Sequence, residues 1–380
     1  MSVVGQPSFA AWSGAQSSGF GGNNLSVVDK VTPDMIHLVD PYWYQFPPMN
    51  PLWHALLGIS IGVLGVISLI GNGMVMYIFA TTKALKTPSN LLVVNLAFSD
   101  FSMMFTNSFP MVVNNYYETW IWGPLNCALY GMFGSIFGCV SIWSMAFIAL
   151  DRYNVIVKGL NAKPFTKKTA SLWILLIWTM AIGWSLAPLF GWNRFVPEGN
   201  LSSCGTDFVT KELFHKSFIL VYASFVYFTP LSLIIYCYFF IVQAVAVHEK
   251  SMREQAKKMN VASLRSAESQ QTSAECKLAK IALMTIALWF FAWTPYLVIN
   301  FCGIFESQKI SPLSTIWSSL FAKANACYNP IVYGISHPKY RQALEKRFPS
   351  LVCGKSVPRD DAVSNTSGVT QVADGDKTSA

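Results

Sequence analysis

Charge is what this 380-residue chain lacks: 12% of its residues are Asp, Glu, Lys or Arg, while 53% are hydrophobic and 14% aromatic. A soluble domain carries roughly 25% charged residues, and a water-soluble core of this size could not hide so much apolar surface behind so few charges. Eight cysteines are too few for a disulfide-rich secreted scaffold, and the apolar content excludes a largely disordered chain. Internal repeats and a second domain are also missing. The start of the chain has no basic segment followed by a long apolar run, so we expect the first spanning helix to direct insertion without a cleaved signal peptide. Composition places the chain in a bilayer.

Five windows contain no Asp, Glu, Lys or Arg: Pro41–Thr82, Thr119–Leu150, Thr169–Asn193, Ser217–His248 and Ile281–Phe305. Two more, Thr87–Tyr117 and Ile310–Pro338, are interrupted once each, by Asp100 and by Lys323. A spanning helix needs about 20 apolar residues, so each window is long enough and seven helices are expected. The runs do not alternate polar and apolar as barrel strands do. The expected fold class is an all-α membrane protein, a seven-helix transmembrane bundle over 51–337. It follows a tail at 1–50 and precedes a short amphipathic cytoplasmic helix at 338–349 and a disordered tail at 350–380.

Of the 27 basic residues, five (Lys30, Arg194, Lys211, Lys216, Lys309) fall on one side of this topology, 21 on the other, and Lys323 between. The positive-inside bias predicts an outer N-terminus and a cytoplasmic C-terminus. Asn24 and Asn200 head glycosylation sequons on the outer side; a third sequon, at Asn365, falls in the cytoplasmic tail. Cys127 and Cys204 are the two cysteines most clearly in an oxidising compartment, which predicts a disulfide between them. Cys139, Cys237, Cys276, Cys302, Cys327 and Cys353 read as packing residues, with Cys353 also a palmitoylation candidate behind Lys339–Phe348. Val247–Lys280 reads as the longest cytoplasmic loop, with charge spacing that suggests extension of the fifth helix.

Asp100 and Lys323 carry the functional question, because ionisable residues inside spanning helices are costly and usually functional. Lys323 lies 14 residues into its window, roughly 20 Å deep at about 1.5 Å per residue, too far for easy snorkelling. Three explanations stand on composition: a structural ion pair, a transport path, or a neutral amine that condenses with an aldehyde. Glu118 and Glu198 lie in outer loops, and a disulfide at Cys204 would let Glu198 dip inward as a lid.

Motifs bear on this choice. The seventh window reads Ala322-Lys323-Ala324-Asn325-Ala326-Cys327-Tyr328-Asn329-Pro330-Ile331-Val332-Tyr333, and the third ends in Asp151-Arg152-Tyr153. The sixth carries Phe291-Ala292-Trp293-Thr294-Pro295-Tyr296, the first Gly71-Asn72, the second Leu96-Ala97-Phe98-Ser99-Asp100, and the fourth Trp178. One per helix and in order, they resemble the rhodopsin-like G-protein-coupled receptors from about Pro51 to Phe348. Lys323, six residues before Asn329-Pro330, resembles the retinal-attachment lysine of opsins. Arg152–Gly159, Val196–Gly199, His248–Asn260 and His337–Arg341 resemble the arthropod visual opsins, especially the insect long-wavelength group.

That resemblance implies a visual photoreceptor and not an enzyme. Retinal, 11-cis in the dark and all-trans after light, or a hydroxylated retinal, would be held on Lys323 as a protonated imine, which needs a counterion. The position that bears a carboxylate in vertebrate visual opsins is Tyr130 here, so Glu198 becomes the counterion candidate. Trp293 and Tyr296 would line the pocket, with Gly134 and Gly138 leaving room for a rigid polyene, although their bland reading is close helix packing. Tyr222 and Tyr227 are further pocket candidates. Asp151, Arg152, Tyr153 and Glu275, with Asn329, Pro330 and Tyr333, resemble the switch toward the G protein, and Asn72, Asp100 and Asn329 a hydrated polar core. The implied partners are a Gq-type G protein, a receptor kinase and arrestin, with Ser356, Ser364, Thr366, Ser367 and Thr370 as tail phosphorylation candidates. The implied location is the photoreceptor microvillar (rhabdomeric) plasma membrane. Rival readings are a retinal photoisomerase on the same scaffold, a receptor for a diffusible ligand, and a proton pump; a pump would need a chain of intramembrane carboxylates that Asp100 alone does not supply.

Overall fold

The structure is a computed structural model, described here over residues 25–163, 165–259 and 267–349. Its long helices are α1 (Pro51–Thr81), α2 (Pro88–Tyr117), α3 (Gly123–Tyr153) and α4 (Lys167–Leu186), followed by a two-stranded hairpin, β1 (Phe195–Pro197) and β2 (Cys204–Thr206). The fifth crossing is α5 (Leu213–Ala223), a π-helical turn (Ser224–Phe228) and α6 (Thr229–Met259). The sixth is α7 (Ala267–Phe305), the seventh α8 (Pro312–Ser336), and α9 (Pro338–Arg347) lies beyond it.

Helix starts follow local chemistry. The Asn50 side chain accepts from Leu52 N with Pro51 in the first turn, Thr87 caps α2 ahead of Pro88, and Ser311 with Ser314 forms a capping box ahead of Pro312. Five of the crossings are apolar enough to span a membrane by composition alone. Among the described residues α2 and α8 are not in that set, because α2 carries Asn95, Asp100, Asn107, Asn114 and Asn115, and α8 carries Thr315, Ser318, Ser319, Lys323, Asn325 and Asn329, all buried. These two helices turn polar side chains into the bundle. The outward faces, such as Ile59, Val63, Val66 and Ile70 of α1, are exposed and apolar, as lipid contact requires.

The expected extension of the fifth helix past its apolar window is present, since α6 runs to Met259; the early start of α7 at Ala267, within the segment read as loop, was not expected. Charged residues with good helix propensity extend a helix once it leaves the hydrocarbon. The N-terminal segment has structure of its own from Val27 onward. Short 3-10 turns over Val27–Lys30, Ile36–Leu38 and Pro41–Gln45 fold across the outer end, burying Val27, Val28 and Trp43 against Leu201, Phe208, Phe218, Ile304 and Ile310. Tyr42 Oη accepts from Ile310 N at 2.7 Å and donates to Ile310 O at 2.9 Å, and Lys30 pairs with Glu118.

Candidate functional site

The hairpin positions the first part of the site. Cys127 of α3 is disulfide-bonded to Cys204 of β2, closing a separation of 77 residues and drawing the hairpin down over the bundle. Register pairs Pro197 with Cys204, Val196 with Gly205 and Phe195 with Thr206. Glu198, at the turn, is thereby 3% exposed. Its Oε1 accepts from Tyr296 Oη at 2.7 Å and its Oε2 from Ser203 Oγ at 2.9 Å. Gly205 is the strand residue that allows this approach: a Cβ there would stand 2.7 Å from Tyr296 Oη. Outside the membrane the hairpin base is locked by Asp207, which takes Arg194 Nε at 2.8 Å and Thr210 Oγ1 at 2.7 Å. Burial works to raise the Asp207 pKa, but these bonds from Thr210 and Arg194 outweigh it and hold the carboxyl below its ordinary range.

Lys323 enters from α8, 9% exposed. Among the described residues its Nζ makes one hydrogen bond, donated to Ser319 Oγ at 2.7 Å, and no ion pair. Nζ stands 5.5 Å from the centre of the Tyr130 ring, and Glu198 is the carboxylate that acts on it through space. The amine faces a cavity of about 570 Å³ lined by Asn107, Tyr130, Gly131, Gly134, Ser135, Glu198, Tyr222, Trp293, Tyr296 and Ser319, among others. A neighbouring cavity of about 600 Å³ shares Thr206, Tyr222, Trp293 and Tyr296 as a common wall and runs on to Gly138, Phe218, Val226, Tyr227 and Trp289. In both, aromatic walls combine with a few convergent polar groups, the usual composition of small-molecule sites.

The sequence candidates therefore converge, with qualifications. Tyr130, Gly134, Glu198, Tyr222, Trp293, Tyr296 and Lys323 surround the first cavity. Gly138 and Tyr227 border only the second. Gly138 chiefly seats Trp293, since an added Cβ would lie 2.8 Å from its Cη2, so the packing reading of this glycine prevails over the reading as open space. Tyr227, in the π-helical turn, shares a hydroxyl hydrogen bond with Thr294 Oγ1 of α7 at 2.6 Å. Asn107, Ser203 and Ser319 were missed. Ser319 precedes Lys323 by one helical turn, a spacing visible in the sequence, whereas Asn107 and Ser203 enter only through tertiary packing.

At the inner end Asp151 pairs with Arg152, both buried. Tyr153 packs on Tyr236 of α6 at 5.7 Å between ring centres. Glu275 falls in α7, but its side chain lies outside the described residues. In the polar core Asn329 Nδ2 donates to Asp100 Oδ2 at 2.6 Å. Asn72 does not join that bond; its Nδ2 donates to Ala326 O at 2.8 Å, tying α1 to α8 beside Pro330, against which Gly71 closes. Tyr333 is buried against Phe79.

Asn200 has no exposure, and its amide is bound to Ser202 within the hairpin turn. The sequon lies within the turn that places Glu198. Asn24, Cys353 and the tail phosphorylation candidates lie outside the described residues.

A helical bundle that seals an amine and a carboxylate under a disulfide-tethered hairpin, with an Asp-Arg pair at the opposite end, has the build of a membrane receptor. The family model described as 7 transmembrane receptor (rhodopsin family) matches residues 71–333, and the chain belongs to that family: it is a receptor, not an enzyme, and crosses the membrane repeatedly. It is similar to Opsin-1 of Schistocerca gregaria, 70% identical over 98% of this chain and 97% of that one. It is 63% identical to the long-wavelength rhodopsin of Apis mellifera over 100% of both chains. Squid rhodopsin matches in structure with a TM-score of 0.78 at 37% identity, covering 84% of this chain and 91% of that one. The resemblance to insect visual opsins read from the motifs holds along nearly the whole chain.

Proposed function

We propose that the protein is a visual photoreceptor that holds retinal on Lys323 as a protonated Schiff base, with Glu198 as counterion, and signals to a Gq-type G protein. The observation that carries this is Lys323 itself, an amine in the bundle interior with no ion-pair partner among the described residues, opening onto an aromatic cavity. A structural ion pair would leave no such cavity, and a transport path would need further carboxylates along it.

When bound, retinal supplies visible absorption and a change of shape on illumination, from 11-cis to all-trans; a hydroxylated retinal would do the same. Lys323 fixes one end of the ligand. Glu198, screened from water and held by Tyr296 and Ser203, supplies fixed negative charge for the cationic linkage. Tyr130 lines the same wall without adding charge. Trp293 and Tyr296, on either side of Pro295 in α7, would be the side chains that meet such a change of shape. Asn329 and Asp100 connect that movement to Asp151 and Arg152, whose release would open the inner end to the G protein. The same reading places the receptor in rhabdomeric plasma membrane, with receptor kinase and arrestin acting on the tail.

The test is an absorption spectrum of the purified protein after incubation with 11-cis-retinal, in the dark and after illumination, beside Lys323→Ala. The expected result is a visible band that shifts on illumination and is absent from the variant. A band equally strong in the variant, or none in the unaltered protein, would contradict the proposal.

A further inference from the structure

We infer that Ser319 is a positioning residue for the covalent loading of Lys323, holding the amine at the cavity wall and passing protons while the linkage forms. The inference deepens the reading above and rests on it for the identity of the natural aldehyde.

Lysine is a poor nucleophile for a buried site unless it is held, because its four-carbon stem has many rotamers. Glu198 does not bond the amine: its oxygens accept from Tyr296 and Ser203, and among the described residues no hydrogen bond or ion pair joins it to Nζ. Tyr130 presents its ring face to Nζ. The other polar side chains of that cavity include Asn107 from α2, Ser135 from α3, Thr206 from β2 and Tyr222 from the fifth crossing, and none of these bonds the amine. The anchor is Ser319 Oγ, 2.7 Å from Nζ, on the same face of α8 and 2% exposed. A hydroxyl one turn away on the same helix does not move relative to the lysine backbone when other helices shift, so the amine stays aimed at the cavity.

Condensation joins Nζ to the aldehyde carbon, and the two amine hydrogens leave with the carbonyl oxygen as one water. A hydroxyl is both donor and acceptor. Ser319 Oγ can therefore accept a hydrogen from Nζ while giving its own toward the departing oxygen, and ends unchanged. An alanine would leave the amine unanchored and the transfer without this carrier.

The experiment uses the unloaded full-length receptor, with Ser319→Ala and Ser319→Thr, in two arms. The first treats each protein with formaldehyde and a borane reductant and follows methylation of Lys323 by peptide mass, with exposed Lys339 as internal reference. The second follows 11-cis-retinal, separating reversible docking (quenching of tryptophan fluorescence) from the slower appearance of the linked pigment. Loss of one hydrogen bond corresponds to about a fivefold to tenfold slowing. The expected result is that slowing at Lys323 in Ser319→Ala in both arms, the second read as the rate of linkage from the docked state, with Lys339 methylation unchanged, and recovery in Ser319→Thr. Equal Lys323 methylation in Ser319→Ala and the parent would overturn the inference. A parent protein that methylates at Lys323 but never links retinal would overturn the photoreceptor reading, while the formaldehyde arm still decides the role of Ser319.

Discussion

Single residues carry the chemistry, and two of them show how little space is spare. Gly138 touches the indole of Trp293, which is itself stacked on Trp289 with ring centres 5.4 Å apart. Gly138→Ala therefore has no soft neighbour to displace and should destabilise the receptor by about 1–3 kcal/mol, seen as a lower thermal midpoint in detergent; an unchanged midpoint would mean the indole moves freely. Glu198 is tested by Glu198→Gln, which keeps the shape and the bond from Tyr296 but removes the charge. The absorption maximum of the loaded receptor should shift, and an unmoved band would exclude Glu198 as counterion. Lys323 was legible in the sequence because a charge inside an apolar window stands out. The burial of Asn200 was not, since a sequon says nothing of the turn around it, and Ser319 was overlooked because serine in a spanning helix carries no signal of its own.

At the scale of elements, α9 is joined to the bundle by His337. Its Nδ1 accepts from Tyr340 N at 3.1 Å as the helix cap, and its ring lies 5.9 Å from that of Phe79. Burial pushes its pKa down to about 4. The folded value is below the unfolded one of about 6.5, so the unfolded segment binds a proton that the folded one refuses. Docking of α9 is then fully stable above about pH 6.5 and weakens as pH falls toward 4. Amide hydrogen exchange over Pro338–Arg347, corrected for its intrinsic pH dependence, should lose protection between pH 7 and pH 5, and His337→Asn, which keeps a cap without titrating, should abolish that dependence. A parent profile that is flat across this range would contradict the assignment. The amphipathic helix itself was expected two residues longer, to residue 349, and ends at Arg347. Elements without an apolar window were the hardest to read: the outer 3-10 turns are short and polar, and the charged start of α7 looks like loop to hydropathy, whereas the extension of the fifth helix was legible from its charge spacing.

For the whole molecule, topology, handed out by charge and by the length of each apolar run, was largely readable, because a bilayer forces each crossing to satisfy its own backbone. What could not be read was which polar faces meet. Asn72 bonds Ala326 O and not Asp100, and Tyr227 borders the second cavity while its hydroxyl bonds Thr294. These pairings depend on helix rotation and tilt, which no single window encodes. The proposed signalling path runs from Trp293 through the Asn329–Asp100 bond to the buried Asp151–Arg152 pair. Asp151→Asn weakens that pair and should raise G-protein activation in the dark by severalfold without moving the absorption maximum; dark activity equal to the parent would remove Asp151 from the switch.

The central claim is that the Lys323 amine is the point of attachment. The most direct measurement is reduction of the retinal-loaded receptor with borohydride, followed by proteolysis and peptide mass spectrometry. The account predicts one retinyl adduct, on the peptide containing Lys323, in near-stoichiometric yield. An unmodified Lys323 peptide, or the adduct on a different lysine, would contradict it.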